Sequence, residues 1–222
     1  MNYVFDFGVI WDAMPELLWG CLGTLGLALA GMAIAIVIGL AGVVFRDSHI
    51  KLLRVGVISF VELIRNTPFL VQLYFLFFAL PGLGVMLSPT VSAILALGLN
   101  GGAYAIEIIR GGVQSINKGQ VEAGLALGLH RSQIFRHIVL TPAMRAIFPA
   151  LASQFIMLAL TTSVASSISA YELTSVAKVI ESNTFKSFEV FGAITLMYLV
   201  MSLMLMSAFG LVSRRFLNYP SR

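Results

Sequence analysis

Four long stretches of this 222-residue chain contain no charged side chain, and they constrain the fold more than any other sequence feature. They are Leu17–Phe45, Asn66–Ile106, Ala146–Tyr171 and Val190–Ser213. A helix needs about 20 apolar residues to cross roughly 30 Å of hydrocarbon. Charged residues make up 11% of the chain, against about 25% in an ordinary soluble domain. The sequence therefore predicts an integral membrane protein and excludes a soluble enzyme, a nucleic-acid binder and a disordered chain.

The longest uncharged stretch is broken by glycine and proline between Pro81 and Pro89, so it holds two helices. We therefore predict an all-α membrane protein with five transmembrane helices. The predicted spans are 17–45, 55–80, 90–109, 146–170 and 188–213. The second is expected to begin before the uncharged stretch, so that Glu62 and Arg65, three residues apart, lie at its membrane edge.

The basic residues orient these helices. Segment 46–66 holds four of them, segment 110–145 holds five and the C-terminal tail holds three. With the N-terminus outside and the C-terminus inside, 12 of the 14 basic residues are cytoplasmic, as the positive-inside rule requires. We therefore expect residues 1–16 to be periplasmic, 17–213 to form the transmembrane domain and 214–222 to be a cytoplasmic tail.

No pattern in the sequence indicates catalysis or a bound metal. His49, His130 and His137 lie in predicted cytoplasmic segments, and the single cysteine, Cys21, excludes an intrachain disulfide and a cysteine-based metal site. The phosphate-binding pattern GxxxxGK[ST] is absent. We expect no enzyme activity, no cofactor and no metal. The remaining classes are a transport subunit and an assembly or signalling component.

Polar side chains recur on one face of two predicted spans. Burying such groups in lipid is costly, so they usually face protein or water. The candidate pathway residues are Asn100, Tyr104, Gln154, Thr161, Thr162 and Ser163. Helix packing through the hydroxyl groups is the alternative interpretation. Glu107 also lies on the face of Asn100 and Tyr104, but its position beside Arg110 near the helix end favours an interfacial ion pair.

Segment 110–145 is a long cytoplasmic connection that keeps an apolar pattern. Small residues concentrate between Glu122 and Gly128, and glycine at residue 128 can adopt the positive φ that ends a helix. We expect helix to resume after His130 and to end before Pro142. The segment therefore predicts a helix–turn–helix hairpin, which either docks another protein or lies on the membrane surface.

These residues resemble the EAA loop of permease subunits of ATP-binding-cassette importers. The motif residues are Glu122, Ala123, Gly124, Gly128 and Pro142. Three further segments are similar to the corresponding segments of polar amino acid permeases: 62–72, 103–115 and 172–174. The resemblance extends over about 17–213. The resemblance implies the fold of type I importers, which is called MetI-like, with a cytoplasmic coupling helix.

The same resemblance implies the partners and the mechanism. Two permeases, identical or paralogous, pair in the bacterial inner membrane above two cytoplasmic ATPase subunits, each of which grips one hairpin. A periplasmic binding protein delivers the amino acid. Glu122 is expected to anchor the hairpin through a charged hydrogen bond, and Gly128 to permit its tight turn. Beyond these proteins, the amino acid and membrane lipid, we expect no partner and no nucleic acid.

Two departures from the family pattern matter. His130 stands where a serine commonly caps the second hairpin helix, so Ser132 is expected to substitute. Relatives specific for cationic amino acids carry acidic groups at the places of Gln154 and Thr161. Because a cation crossing lipid needs a compensating charge, the substrate is expected to be neutral or acidic. The alternative functions are an ion-coupled secondary carrier without an ATPase and a permease-like scaffold that only signals.

Overall fold

A computed structural model describes residues 5–216, and this range contains helices and no β-strand. A short helix α1 (Gly8–Asp12) precedes the long helix α2 (Met14–Arg46). The later helices are α3 (Lys51–Arg65), α4 (Phe69–Tyr74), α5 (Pro89–Gln114), α6 (Lys118–Ala126), α7 (Arg131–Gln133), α8 (Thr141–Thr161), α9 (Leu173–Thr184) and α10 (Ser187–Phe216). The all-α prediction is confirmed. The first four and last six residues, which include parts of the predicted periplasmic segment and tail, lie outside the described range.

Helices α2 and α5 form the central pair and run parallel. A Cβ atom added to Gly31 would lie 2.7 Å from the Leu97 Cβ atom. Two turns further along α2, a Cβ atom on Gly39 would lie 2.8 Å from the Ala105 Cβ atom. Successive residues of one helix thus meet successive residues of the other, at distances that leave no room for larger side chains. Because the two helices are parallel, the chain between them must return across the bundle.

The returning segment is not the single helix predicted over 55–80. It consists of α3 and a second helical piece, Phe69–Leu83, and the two are bent by 109°. The second piece begins as α4, continues as a π-helical turn over Phe75–Ala79 and ends as a 3₁₀ turn over Leu80–Leu83. The prediction of one continuous helix is therefore wrong, although the two pieces together are long and apolar enough to count as a fifth candidate span.

Local chemistry explains the break. Pro68 has no N–H group and favours an extended residue before it, so α3 cannot run on through this position. The side chains of Asn66 and Thr67 bond to the final carbonyls of α3: Asn66 Nδ2 donates to Glu62 O at 2.8 Å, and Thr67 Oγ1 donates to Leu63 O at 2.9 Å. These bonds satisfy groups that a helix end otherwise leaves free.

The other predicted spans match long apolar helices. Helices α2, α5 and α10 cover the first, third and fifth spans, and each extends a few residues beyond the predicted bounds. The fourth belongs to a 38-residue helical stretch, Arg131–Ile168, which also contains α7, a π-helical segment over Ile134–Leu140 and a 3₁₀ segment over Thr162–Ile168.

The prediction that helix ends before Pro142 is wrong. Pro142 lies in the first turn of α8, directly after the π-helical segment. In that segment the regular bonding from each N–H to the fourth residue back is already interrupted, so a residue without an N–H group is accommodated. The second arm of the hairpin and the fourth span therefore form one continuous rod.

Helices α9 and α10 complete the bundle. A Cβ atom on Gly20 of α2 would lie 2.9 Å from the Leu173 Cα atom, so the start of α9 packs directly on α2. Helix α10 packs against α8 through the rings of Phe155 and Phe209, whose centroids are 5.5 Å apart. The central core lies between α2, α5, α8 and the Phe69–Leu83 piece.

Candidate functional site

Helix α6 ends in a tight turn at Gly128, which has φ of +75°. The Gly128 N–H donates to Leu125 O at 3.0 Å, and the Leu129 N–H donates to Gly124 O at 3.1 Å. This pair of bonds is the Schellman arrangement, which satisfies the last carbonyls of a helix and needs a left-handed residue at its centre. The predicted positive φ at Gly128 is confirmed.

The two arms of the hairpin are in direct contact. Gly124 is buried, and a Cβ atom there would lie 2.7 Å from Ile138 Cδ1 and 3.2 Å from Ile134 Cγ1. Glycine thus lets α6 approach the π-helical segment closely, because a Cβ atom there would require the Ile138 side chain to shift. Since that segment continues into α8, a movement of α6 is transmitted into a membrane-spanning helix.

The outer surface of the hairpin is apolar and accessible. The side chains of Leu125, Leu127 and Phe135 are 53%, 80% and 56% exposed. Glu122 and Ala123 are also exposed. Within the described residues Glu122 forms no hydrogen bond and no ion pair, so the anchoring bond expected of it is not made inside this part of the chain. Glu122 instead borders a groove that residues at the end of α5 and on both arms of the hairpin also line, among them Val113, Lys118 and Val139.

The second arm begins at His130, whose N–H donates to Gln133 Oε1 at 2.9 Å. Gln133, three residues after the cap position, thus provides the capping bond, and the expectation that Ser132 would do so is wrong. A glutamine at this spacing is a known sequence signal for a helix start, so the contact could have been anticipated from the sequence.

A cluster of three charges joins α2 and α5 at the end from which the hairpin projects. The Glu107 carboxylate binds the guanidinium groups of Arg46 and Arg110, with Arg110 Nη2 2.7 Å from Glu107 Oε2. Arg110 also donates to Gln114 Oε1 at 2.9 Å. The ion pair predicted between Glu107 and Arg110 is confirmed, and the contribution of Arg46 is new.

Asn100 belongs to an amide network centred on Gln72. Asn100 Nδ2 donates to Gln72 Oε1 at 3.1 Å. Gln72 Nε2 in turn donates to Ile64 O at 2.8 Å and to Thr67 Oγ1 at 2.9 Å. Gln72 therefore ties both sides of the α3–α4 break to α5. Sequence analysis missed this role of Gln72, because only the fold shows that α4 and α5 meet here.

Tyr104 lies one turn after Asn100 on α5. The guanidinium group of Arg65 lies over the face of its ring. The distance from Arg65 Cζ to the ring centroid is 5.3 Å, within the range of a cation–π interaction. Arg65 is the last residue of α3, directly before the bend, and α3 packs against α5.

The predicted pathway residues on α8 differ in their surroundings. The hydroxyl groups of Thr161, Thr162 and Ser163 each donate to a carbonyl of their own helical stretch at 2.7 Å. Thr162 is fully buried, whereas Gln154 is half-buried. No hydrogen bond joins this set to the polar residues of α5 within residues 5–216. The structure thus bonds Asn100 to Gln72 and places Arg65 over Tyr104, whereas the candidate residues in α8 and in the 3₁₀ segment after it share no hydrogen bond with them.

At the opposite end of the bundle, a buried carboxylate caps helix α9. Glu172 accepts hydrogen bonds from the Thr174 N–H at 2.9 Å, the Ser175 N–H at 2.6 Å and the Tyr198 hydroxyl at 2.6 Å. Burial raises the pKa of Glu172, although these hydrogen bonds oppose the shift. Because Thr24 also accepts from the Leu173 N–H, this site joins α2, α9 and α10.

The described residues contain no group of three or more His, Cys, Asp or Glu side chains placed to hold a metal ion.

Comparison with known proteins agrees with this arrangement. Residues 31–218 match the family described as the binding-protein-dependent transport system inner membrane component. The chain is 37% identical over 213 residues to the glutamine transport system permease protein GlnP of Escherichia coli (strain K12), covering 95% of this chain and 97% of that protein.

Two solved structures share the fold. The crystal structure of an amino acid ABC transporter with histidines superposes with a TM-score of 0.91 at 32% identity, covering 96% of this chain and 100% of that one. The inward-facing methionine transporter MetNI gives a TM-score of 0.74 at 20% identity, covering 91% and 97%. The predicted MetI-like fold is confirmed. The chain belongs to the family of binding-protein-dependent transport system inner membrane components and is a permease subunit of an ATP-binding-cassette importer, not itself an enzyme.

Proposed function

We propose that this permease carries a neutral polar amino acid across the bacterial inner membrane as one of a pair of permeases. Two cytoplasmic ATPase subunits drive the pair, and a periplasmic binding protein supplies the amino acid. The observation that carries the proposal is the hairpin: a rigid two-armed element with an apolar outer surface, continuous with the membrane-spanning helix α8.

Docking to an ATPase explains the composition of the hairpin. Leu127, at the turn, is 80% exposed, and large apolar side chains on a projecting element are typical of a protein interface. Glu122 and Ala123 lie exposed on α6, while Gly124, Gly128 and Pro142 shape the hairpin and its junction with α8. We assign these five residues to ATPase coupling.

The proposed topology follows from charge and from helix direction. The cluster of Arg46, Glu107 and Arg110 lies at the end of α2 and near the end of α5, where the hairpin begins. Positive charge favours the cytoplasmic side of a membrane. Hence the N-terminal segment 1–16 is periplasmic, 17–213 spans the membrane with the hairpin of 110–145 in the cytoplasm, and the tail 214–222 is cytoplasmic.

The preference for a neutral substrate rests on the available charges. Gln154 and Thr161 are uncharged, and the Glu107 carboxylate is already held by two arginines. A cationic amino acid would therefore find no free carboxylate from these positions. The similarity to a glutamine permease supports the same class. The proposed pathway residues are Asn100, Tyr104, Gln154, Thr161 and Ser163. The buried Thr162 supports them by packing.

Uptake in a strain deleted for this permease tests the proposal. Labelled glutamine, glutamate, histidine and arginine are compared before and after restoring the gene. We expect ATP-dependent uptake of glutamine or another neutral polar amino acid, and arginine as the only substrate would contradict the assignment. Uptake by the purified permease alone, driven by an ion gradient without an ATPase, would favour the secondary-carrier alternative.

A further inference from the structure

Arg65 is an exposed side chain at the end of α3 whose positive charge lies against α5. Its guanidinium group lies over the ring of Tyr104, which is fifteen residues from Pro89 at the start of α5 and ten residues from Gln114 at its end. At 1.5 Å per residue, these separations are about 22 Å and about 15 Å along the helix. The charge therefore lies within the predicted third span, about one turn before Glu107 and its cluster with Arg46 and Arg110.

No carboxylate neutralises this charge in the described part of the chain. The other two arginines of the region, Arg46 and Arg110, share Glu107, whereas residues 5–216 give Arg65 neither an ion pair nor a hydrogen bond. Glu62, one turn earlier on α3, is exposed and does not pair with it. A charged side chain at membrane depth faces protein or a water-filled cavity rather than lipid. The exposed side of Arg65 therefore borders the pathway or the second permease.

The groups beside Arg65 form a polar patch. The amides of Gln72 and Asn100 bond to each other one helical turn from Tyr104. Helices α5 and α8 run antiparallel, because Gly101 lies against Leu158 and Gly112 against Ile147. Gln154 consequently lies at about the depth of Tyr104. The guanidinium group of Arg65 and the bonded amides of Gln72 and Asn100, one turn away on α5, can bind a small polar molecule that carries a negative charge.

We propose that Arg65 binds the α-carboxylate of the transported amino acid, while the Tyr104 ring holds the guanidinium plane in position. Arginine is suited to this task, since its planar fork of N–H donors matches the two oxygens of a carboxylate. All α-amino acids share that carboxylate, so Arg65 recognises the common part of the substrate and leaves side-chain selection to other residues. The inference rests on the proposed amino acid substrate.

Equilibrium binding to the purified permease–ATPase complex, without the binding protein, tests the inference. The probes are labelled glutamine, glutamate, histidine and arginine, together with the α-carboxamide of whichever amino acid binds. We expect the Arg65→Gln complex to bind that amino acid at least tenfold more weakly than the wild-type complex. Arg65→Lys is expected to recover part of the affinity, because it keeps the charge but not the fork. The matched control is Arg54→Gln, on an exposed arginine three turns earlier on α3.

The carboxamide separates recognition from folding. The wild-type complex is expected to prefer the amino acid over its carboxamide at least tenfold, and Arg65→Gln to remove most of this preference. A loss of affinity that is equal for both compounds would show a structural role and overturn the inference, as would unchanged binding by Arg65→Gln. If the wild-type complex binds none of the four amino acids, the proposed substrate class fails, and the inference fails with it.

Discussion

Gly124 of α6 lies directly against Ile138 of the π-helical segment, so closely that a Cβ atom on residue 124 would come within 2.7 Å of Ile138 Cδ1. This contact packs the two arms of the hairpin directly against each other. Because the π-helical segment runs without a break into α8, a force applied to α6 reaches the helical bundle. The account of coupling depends on this relationship.

Gly124→Val should uncouple the importer. The added isopropyl group does not fit beside Ile134 and Ile138, so the two arms must move apart. We expect a complex that assembles and hydrolyses ATP but transports at least tenfold more slowly in proteoliposomes. Gly56→Val is the matched control, because nothing lies within 4 Å of a Cβ atom there. Full transport by Gly124→Val would remove the argument for close packing.

Gly128→Val should damage the turn more than Gly128→Asn. A β-branched residue is strongly disfavoured at φ of +75°, whereas asparagine tolerates the left-handed region. The backbone strain is about 1–2 kcal/mol for an ordinary residue. We expect transport per ATP hydrolysed to fall in the order glycine, asparagine, valine. Equal coupling ratios in the three proteins would show that the turn conformation has no role.

Glu107→Gln should loosen the junction of α2 and α5, because it leaves Arg46 and Arg110 without their shared carboxylate. The expected loss of stability is about 1–3 kcal/mol, the usual range for hydrogen bonds to charged groups. Thermal unfolding in detergent measures it, with the exposed Asp47→Asn as the control. A double-mutant cycle with Arg46→Gln should show coupling, and strictly additive effects would contradict the ion cluster.

Glu172 should make stability depend on pH. Its pKa in the folded protein is raised by burial above the ordinary value of about 4.3, so folding favours the protonated form. The contribution to stability is therefore complete below that ordinary value and is lost as pH rises through the raised pKa. The difference in melting temperature between wild type and Glu172→Gln should shift in favour of the variant as pH increases. A difference that is constant, or that moves the other way, would contradict this.

Much of this architecture could be predicted from charge alone. Charge-free stretches identify helices such as α2 and α10 because each helix satisfies its own backbone in lipid. The prediction of one helix over 55–80 overlooked Pro68, which is a local signal for a helix end. The 109° bend itself could not be predicted, since its direction depends on how α3 and α4 pack against α5. At Pro142 the opposite happened, since a helix end was predicted and the helix continues. The π-helical segment before it accommodates the missing N–H group, and no local sequence pattern predicts such a segment.

The candidate sites divide in the same way. Gly128 could be predicted because a turn signal is local. The contacts of Arg65 with Tyr104 and of Gln72 with Asn100 could not, since each joins residues far apart in sequence. Glu172 attracted attention only as part of a family-like segment, whereas its burial beside Tyr198 depends on how α9 and α10 meet.

The most direct test of the central claim is site-specific crosslinking of the hairpin during turnover. Leu127→Cys is introduced in a Cys21→Ala background, which removes the only native cysteine, and the permease is expressed with its ATPase and binding protein. We predict that residue 127 reacts with cysteine reagents only from the cytoplasmic side, and that it crosslinks to the ATPase with a yield that changes when ATP is hydrolysed. Labelling from the periplasm, or the absence of any crosslink to the ATPase in an actively transporting complex, would contradict the account.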